Sequence, residues 1–155
     1  MTSRTNQECT AIFVLGPSSS GKTTLCDALA AALNISAPMY IKEVARTVMK
    51  THQFTRDNVD TYEMQHAILE AQLAAERIAV ASAMESPRSD RCLVLSDRSA
   101  IDPCVYAAAS RVPGAETRSQ KLLQHEEFRK MLPFYQTSLF GEHIICSLFH
   151  CRVIH

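Results

Sequence analysis

The sequence predicts an α/β fold in which a parallel sheet is flanked by helices in three layers, and three observations predict it. Short unbroken apolar runs occur at 11–15 (AIFVL) and 92–95 (CLVL), and such runs read as strands buried on both faces. The stretches between and after them carry helical spacing, and strands that alternate with helices call for parallel pairing through crossovers. Each run also leads straight into a polar turn, at 16–21 (GPSSSG) and 96–99 (SDRS). The carboxyl ends of parallel strands are where open α/β sheets bind ligands.

The elements follow in order. After the turn at 16–21, residues 22–33 read as a helix with Leu25, Leu29 and Leu33 as its buried stripe and its alanines packing close to the sheet. Residues 38–42 suggest a second short strand, and 43–52 a helix with Val44, Val48 and Met49 facing inward. The longest helical pattern spans 55–84, with Ile68, Leu69, Leu73 and Ile78 at suitable spacing. It ends before Pro87, because proline disfavours helix in the residue preceding it. Helix resumes at Asp102-Pro103, breaks at Pro113-Gly114 and returns over 117–131. A third buried strand is expected at 143–149.

Composition bounds the rest. A chain of 155 residues suits one domain, here 10–155 behind a polar, disordered tail at 1–9. Sixteen basic and sixteen acidic side chains cancel, which argues against a nucleic-acid coat, since that needs a basic surface. The six cysteines, Cys9, Cys26, Cys92, Cys104, Cys146 and Cys151, form no CxxC pair and read as reduced thiols in a cytoplasmic protein. The sequence has no signal-like apolar start. No apolar run approaches the roughly 20 residues of a membrane span, so stable membrane insertion is not expected.

Gly16, Pro17, Ser18, Ser19, Ser20, Gly21, Lys22 and Thr23 match GxxxxGK[ST] at every fixed position, with Thr24 next. Glycines let the backbone fold round phosphates so that successive N–H groups point inward. The helix that follows adds its positive N-terminal end. Lys22 is placed to reach the β- and γ-phosphates, and the Thr23 hydroxyl to bind Mg²⁺. Chance alone would give this pattern in well under roughly 1% of chains this size. A strand before and a helix after supply the context the motif needs. The expected architecture is the P-loop NTPase fold, holding a nucleoside triphosphate with Mg²⁺.

Asp97 closes the second buried run, so a neighbouring P-loop strand would bring it to the metal with Thr23. There it could hold Mg²⁺ or accept a proton. Arg98 suits phosphoryl oxygens through its planar fork. The plainer alternatives are a helix cap and a structural ion pair, and Asp102 also fits an N-cap before Pro103. Glu43 and Arg46 are candidates for a general base and a substrate anchor, although from spacing alone an i, i+3 pair on a solvated helix face is the better reading.

Taken together these residues resemble the AAA-type P-loop domains related to nicotinamide riboside kinase, a group similar to deoxynucleoside and thymidylate kinases. The matching pieces are 12–24 (IFVLGPSSSGKTT), 42–46 (KEVAR), the helix at 65–76 with its QHAILEAQ pattern, and 96–106 (SDRSAIDPCVY). The resemblance implies ATP-dependent phosphorylation of a nucleoside-like hydroxyl. Lys22, Asp97, Arg98 and Glu43 would be catalytic, with Glu43, Arg46 and Asp102 at the substrate. The family also implies an alternative, a regulatory or switch protein that binds ATP or GTP with little transfer. The absence of an NKxD base motif favours ATP. Such kinases carry a later arginine-bearing lid, whereas Arg152 is the only arginine here after Arg129. A shortened C-terminus and a sheet incomplete at that end are therefore expected. The tail also holds His143, Cys146, His150, Cys151 and His155, whose spacing fits no standard zinc finger.

Overall fold

A computed structural model of the chain describes residues 9–85 and 92–141. Four strands, β1 (Cys9–Val14), β2 (Tyr40–Ile41), β3 (Cys92–Asp97) and β4 (Leu139–Gly141), form one sheet in the order β2-β3-β1-β4. Every pairing is parallel, and Val14 stands opposite Asp97. The helices are α1 (Lys22–Leu33), α2 (Val44–Thr51), α3 (Tyr62–Glu85), α4 (Ile101–Ala109), α5 (Ala115–Leu123) and α6 (Glu126–Thr137). This is the mixed α/β architecture the apolar runs predict.

Strand alternation divides the core in two. Ala11, Phe13 and Leu15 face one side and pack with Leu69 and Leu73 of α3, Ile101 and Cys104 of α4, and Leu122, Phe128 and Tyr135. Ile12 and Val14 face the other side, against Cys26, Leu29 and Ala30 of α1. The sheet is thus sandwiched, with α1 on one face and α3 to α6 on the other. Val48 of α2 meets Met64 and Ile68 of α3 in a smaller cluster.

Several expectations need correction. The stripe of α1 that meets the sheet is Lys22, Cys26 and Ala30, while Leu25 and Leu33 are exposed. Small residues let the helix lie close to the strands, so the bulkier leucines turn outward. Ile78 is likewise exposed on α3. The long pattern from residue 55 is two pieces: a 3₁₀ turn at Arg56–Asn58, capped by Thr55 and Asn58 in a reciprocal box, and then α3. The 117–131 pattern is also two helices. The N–H of Gln124 caps α5 on Gln120, and His125 leaves helical geometry before α6 begins. Neither glycine nor proline marks that corner. The strand expected at 143–149 lies outside the described residues, and β4 is the strand that pairs with β1 on that side.

The cysteines are not all free thiols. Cys9 and Cys92 stand opposite each other in the parallel register, with Cα atoms 4.5 Å apart, and are joined as a disulfide. Their separation of 83 residues hides this neighbour relation from the sequence. Cys26 and Cys104 are free and buried, and burial pushes both thiols up to about 12.

Phe13 is fully buried and meets the rings of Phe134 and Tyr135 edge-on. Phe13→Ala is expected to lower unfolding free energy by roughly 3–5 kcal/mol, read from urea denaturation. A loss below about 1 kcal/mol would contradict the packing described.

Candidate functional site

The P-loop turns between β1 and α1 on left-handed backbone at Gly16 (φ 139°), Ser19 (φ 63°) and Gly21 (φ 83°). A side chain at Gly21 would meet no neighbour, so conformation rather than space demands glycine there. Lys22 is buried and its ammonium curls back onto the Pro17 carbonyl and the Ser20 hydroxyl. It therefore sits inside the loop, where phosphates would lie. Ser18, Ser19, Ser20, Gly21, Lys22, Thr23 and Thr24 line a cavity of about 230 Å³ with Glu43, Arg46 and Arg98.

The register of β1 on β3 brings the second cluster alongside. The Thr23 hydroxyl donates to Asp97 Oδ2 at 2.6 Å. Asp97 is buried, and among the described residues its Oδ1 has no hydrogen-bond partner. A buried carboxylate oxygen without a donor is costly unless something else satisfies it. Hard oxygens from a threonine and an aspartate are the donors Mg²⁺ takes, usually with water completing its shell. The residues present fit the ion.

Arg98 is the hub. Its backbone is left-handed (φ 83°), uncommon for a side chain of this size. Its N–H donates to the carbonyl of Val14 at 3.1 Å, which ties this turn to the end of β1. Its guanidinium donates to Asp102 Oδ2 at 3.0 Å, to Glu43 Oε1 at 3.3 Å and to the Gly16 carbonyl at 3.4 Å, and lies 6.0 Å from the centre of the Tyr106 ring. Burial pushes the Asp102 carboxyl up to about 6, against the pull of Arg98. Burial opposes the charge on Arg98, but Asp102 outweighs it and holds the guanidinium firmly protonated. Glu43 stands at the N-cap of α2 and pairs through its other oxygen with Arg46 at 2.9 Å, whose side chain is largely exposed.

On the far side of Arg98 and Glu43 opens a second cavity of about 550 Å³. Met49, Val59, Met64, Ile68 and Tyr106 give it an apolar wall, while Gln65, Gln72 and Asp102 supply polar groups. Ser18, Ser19, Glu43 and Arg98 belong to both cavities. Every predicted site residue thus lies in or beside one continuous cleft. The cysteine and histidine group of the tail lies outside the described residues.

A family model for the AAA domain matches residues 11–137. The chain belongs to that AAA domain family. Over 51 residues, 33% of this chain, it is 33% identical to the ATP-dependent kinase YFH7 of Candida glabrata, a stretch that covers 15% of that protein. It also superposes on the crystal structure of NadR protein in complex with NR, with a TM-score of 0.54 and 25% identity over 88% of this chain and 34% of that one. The chain therefore spans well under half the length of either relative. Its resemblance to P-loop kinases, read first from the motifs, holds in sequence and in fold: this is a nucleotide-binding, kinase-like P-loop domain.

One support of the AAA domain's cleft escaped the sequence reading. Glu76 of α3 is fully buried, and its Oε1 accepts from the Ala100 N–H at 2.9 Å and from Gln72 Nε2 at 3.1 Å. Its Oε2 accepts from the Tyr135 hydroxyl of α6. Gln72 also reaches the Ser96 hydroxyl at 3.2 Å. Together these groups brace the turn that carries Asp97 and Arg98. The signal available in sequence was the spacing of Gln65, Gln72 and Glu76 on the stripe that holds Ile68, Leu69 and Leu73.

Burial pushes the Glu76 carboxyl up from 4.5 to about 7, although its hydrogen bonds from Tyr135, Gln72 and Ala100 pull the other way and nearby Asp102 adds to the rise. The folded chain thus keeps a proton that the unfolded chain has lost. The contribution of Glu76 to stability is fully present below pH 4.5, falls as pH rises to about 7, and is level above that. Glu76→Gln keeps the shape and removes the titration. The stability of the variant relative to wild type should therefore rise across that window in urea melts, and a pH-independent difference would refute the reading. Glu76→Ala removes the shared acceptor of three buried donors and should cost roughly 3–5 kcal/mol.

Proposed function

We propose that this domain is a small-molecule kinase that transfers the γ-phosphoryl group of ATP to a hydroxyl of a nucleoside-like acceptor. The observation that carries the reading is the meeting of two cavities at Arg98 and Glu43: a polar one built on the P-loop and a larger, mostly apolar one able to take a ring. That NadR protein was crystallised with NR supports an acceptor of that kind.

In this reading Lys22 and the loop N–H groups hold the triphosphate. Thr23 and Asp97 would hold Mg²⁺, which when bound neutralises charge on the phosphate oxygens. The acceptor hydroxyl enters from the larger cavity and meets Glu43, displacing the exposed Arg46 side chain from the carboxylate. Its oxygen bonds to the γ-phosphorus while the bond to the β–γ bridging oxygen breaks. Glu43 takes the hydroxyl proton, and ADP leaves. Arg98 is already oriented by Asp102 and the Gly16 carbonyl, so little reorganisation precedes its contact with the moving phosphoryl group. Arg46 and Asp102 line the acceptor's approach.

The test is ADP release from MgATP with a panel of nucleosides that includes nicotinamide riboside. ADP formation should depend on one acceptor. Lys22→Ala and Asp97→Asn should lower the rate at least 10²-fold, on the scale of losing one transition-state contact. Glu43→Gln should lower kcat more than it raises KM. ADP that forms at the same rate without any acceptor would sink the kinase reading. Binding without turnover, abolished by Lys22→Ala, would instead indicate a nucleotide-dependent switch.

A further inference from the structure

Away from the cleft, two imidazoles and a carboxylate converge where α3 meets the corner between α5 and α6. His66 and Glu70 stand four residues apart on α3, so they share one strip of the helix surface. His125 occupies the N-cap of α6, in the corner that breaks the 117–131 pattern. His66 Nδ1 is 3.7 Å from Glu70 Oε2, and His125 Nε2 is 3.7 Å from Glu70 Oε1. One ligand atom from each of the three lies within 4.8 Å of the others.

These separations are longer than those of hydrogen-bonded ion pairs, and the two imidazole rings themselves lie 5.5 Å apart, tilted by 58°. Hydrogen-bonded ion pairs would draw nitrogen and oxygen to about 2.8–3.0 Å. Yet among the described residues the approaches to Glu70 are the only polar contacts of either imidazole, and His125 Nδ1 is buried with no partner. Ligands on a tetrahedral ion with metal bonds of roughly 2.0–2.1 Å stand about 3.3 Å apart. The two approaches to Glu70, one to each of its oxygens, lie within a few tenths of an ångström of that value, and the group as a whole would draw in by at most about 1.5 Å on binding the ion. Two imidazoles and a carboxylate are also a set that zinc accepts, with water as the fourth ligand.

We propose that His66, Glu70 and His125 form a zinc site that staples α3 to the α5–α6 corner. It is separate from the phosphate cleft, because His66 and Glu70 are turned roughly 100–160° round α3 from Gln65, Ile68 and Gln72 at 3.6 residues per turn. The consequence reaches the cleft through the frame. The helices that the ion would join, α3 and α6, are the ones whose Glu76 and Tyr135 brace the turn holding Asp97 and Arg98. Zinc would therefore fix the spacing of that brace without touching the nucleotide.

The test titrates zinc into the full-length chain after chelator treatment and dialysis, with stoichiometry and affinity read by competition against a chromophoric chelator. Wild type should bind zinc at this site and gain roughly 5–10 °C in Tm at zinc about 100-fold above Kd. His66→Ala and His125→Ala should each remove one equivalent and the rise in Tm, and Glu70→Gln should weaken binding at least 10-fold. Asp97→Asn should leave that equivalent in place, which separates it from the magnesium site. Zinc should also shift the imidazole nitrogen resonances of His66 and His125 in the unmutated chain, a readout independent of how the variants fold. Unchanged stoichiometry in both histidine variants would place the ion on the tail's cysteines and histidines or in the cleft and overturn the proposal. So would wild-type protein that takes up no zinc.

Discussion

The parallel register of β1 on β3 is the constraint on which the rest depends. Because Val14 stands opposite Asp97, the turns that leave these strands emerge side by side. From that one alignment follow the 2.6 Å contact of Thr23 with Asp97 and the bond from the Arg98 N–H to the Val14 carbonyl. A slip of one residue would turn Asp97 to the opposite face of the sheet. The register is held by burial on both faces, with Ala11, Phe13 and Val94 fully enclosed on one and Leu95 on the other. Stability and site geometry therefore have the same source.

Around this seam the polar groups are placed by residues that never reach the phosphates. Arg98 is nearly enclosed, in a backbone conformation that costs free energy, and is held by Asp102, Glu43 and the Gly16 carbonyl. Below it, Glu76, Gln72 and Tyr135 tie α3 and α6 to the same turn. Such an arrangement suits electrostatic stabilisation, in which charges must be aimed before the reaction begins. It also gives the cleft two unlike halves, a phosphate end made mainly of backbone and hydroxyls and an acceptor end made mainly of apolar side chains.

Much of this was legible in the sequence, for identifiable reasons. The P-loop and the two long strands are local signals, each decided by a handful of consecutive residues. Asp97, Arg98, Glu43 and Asp102 could be singled out because charged residues stand where strands or turns end. Four features were not legible. Leu25 and Leu33 read as core, but the close approach of α1 to the sheet favours Cys26 and Ala30. The pairing of Cys9 with Cys92 and the brace at Glu76 depend on which distant elements touch. The corner at Gln124-His125 carries no breaker residue, and backbone capping onto Gln120 and Leu122 with the extended turn of His125 defines it.

The central claim is that one cleft holds a triphosphate against Lys22 and Asp97 and presents its γ-phosphate to Arg98 and Glu43. A crystal structure of the chain with a non-hydrolysable ATP analogue and Mg²⁺ tests it most directly. The account predicts the triphosphate in the P-loop, the metal beside Thr23 and Asp97, and the γ-phosphate at the mouth of the larger cavity within reach of Arg98. A nucleotide bound outside the loop, or a γ-phosphate pointing away from Arg98 and Glu43, would contradict it.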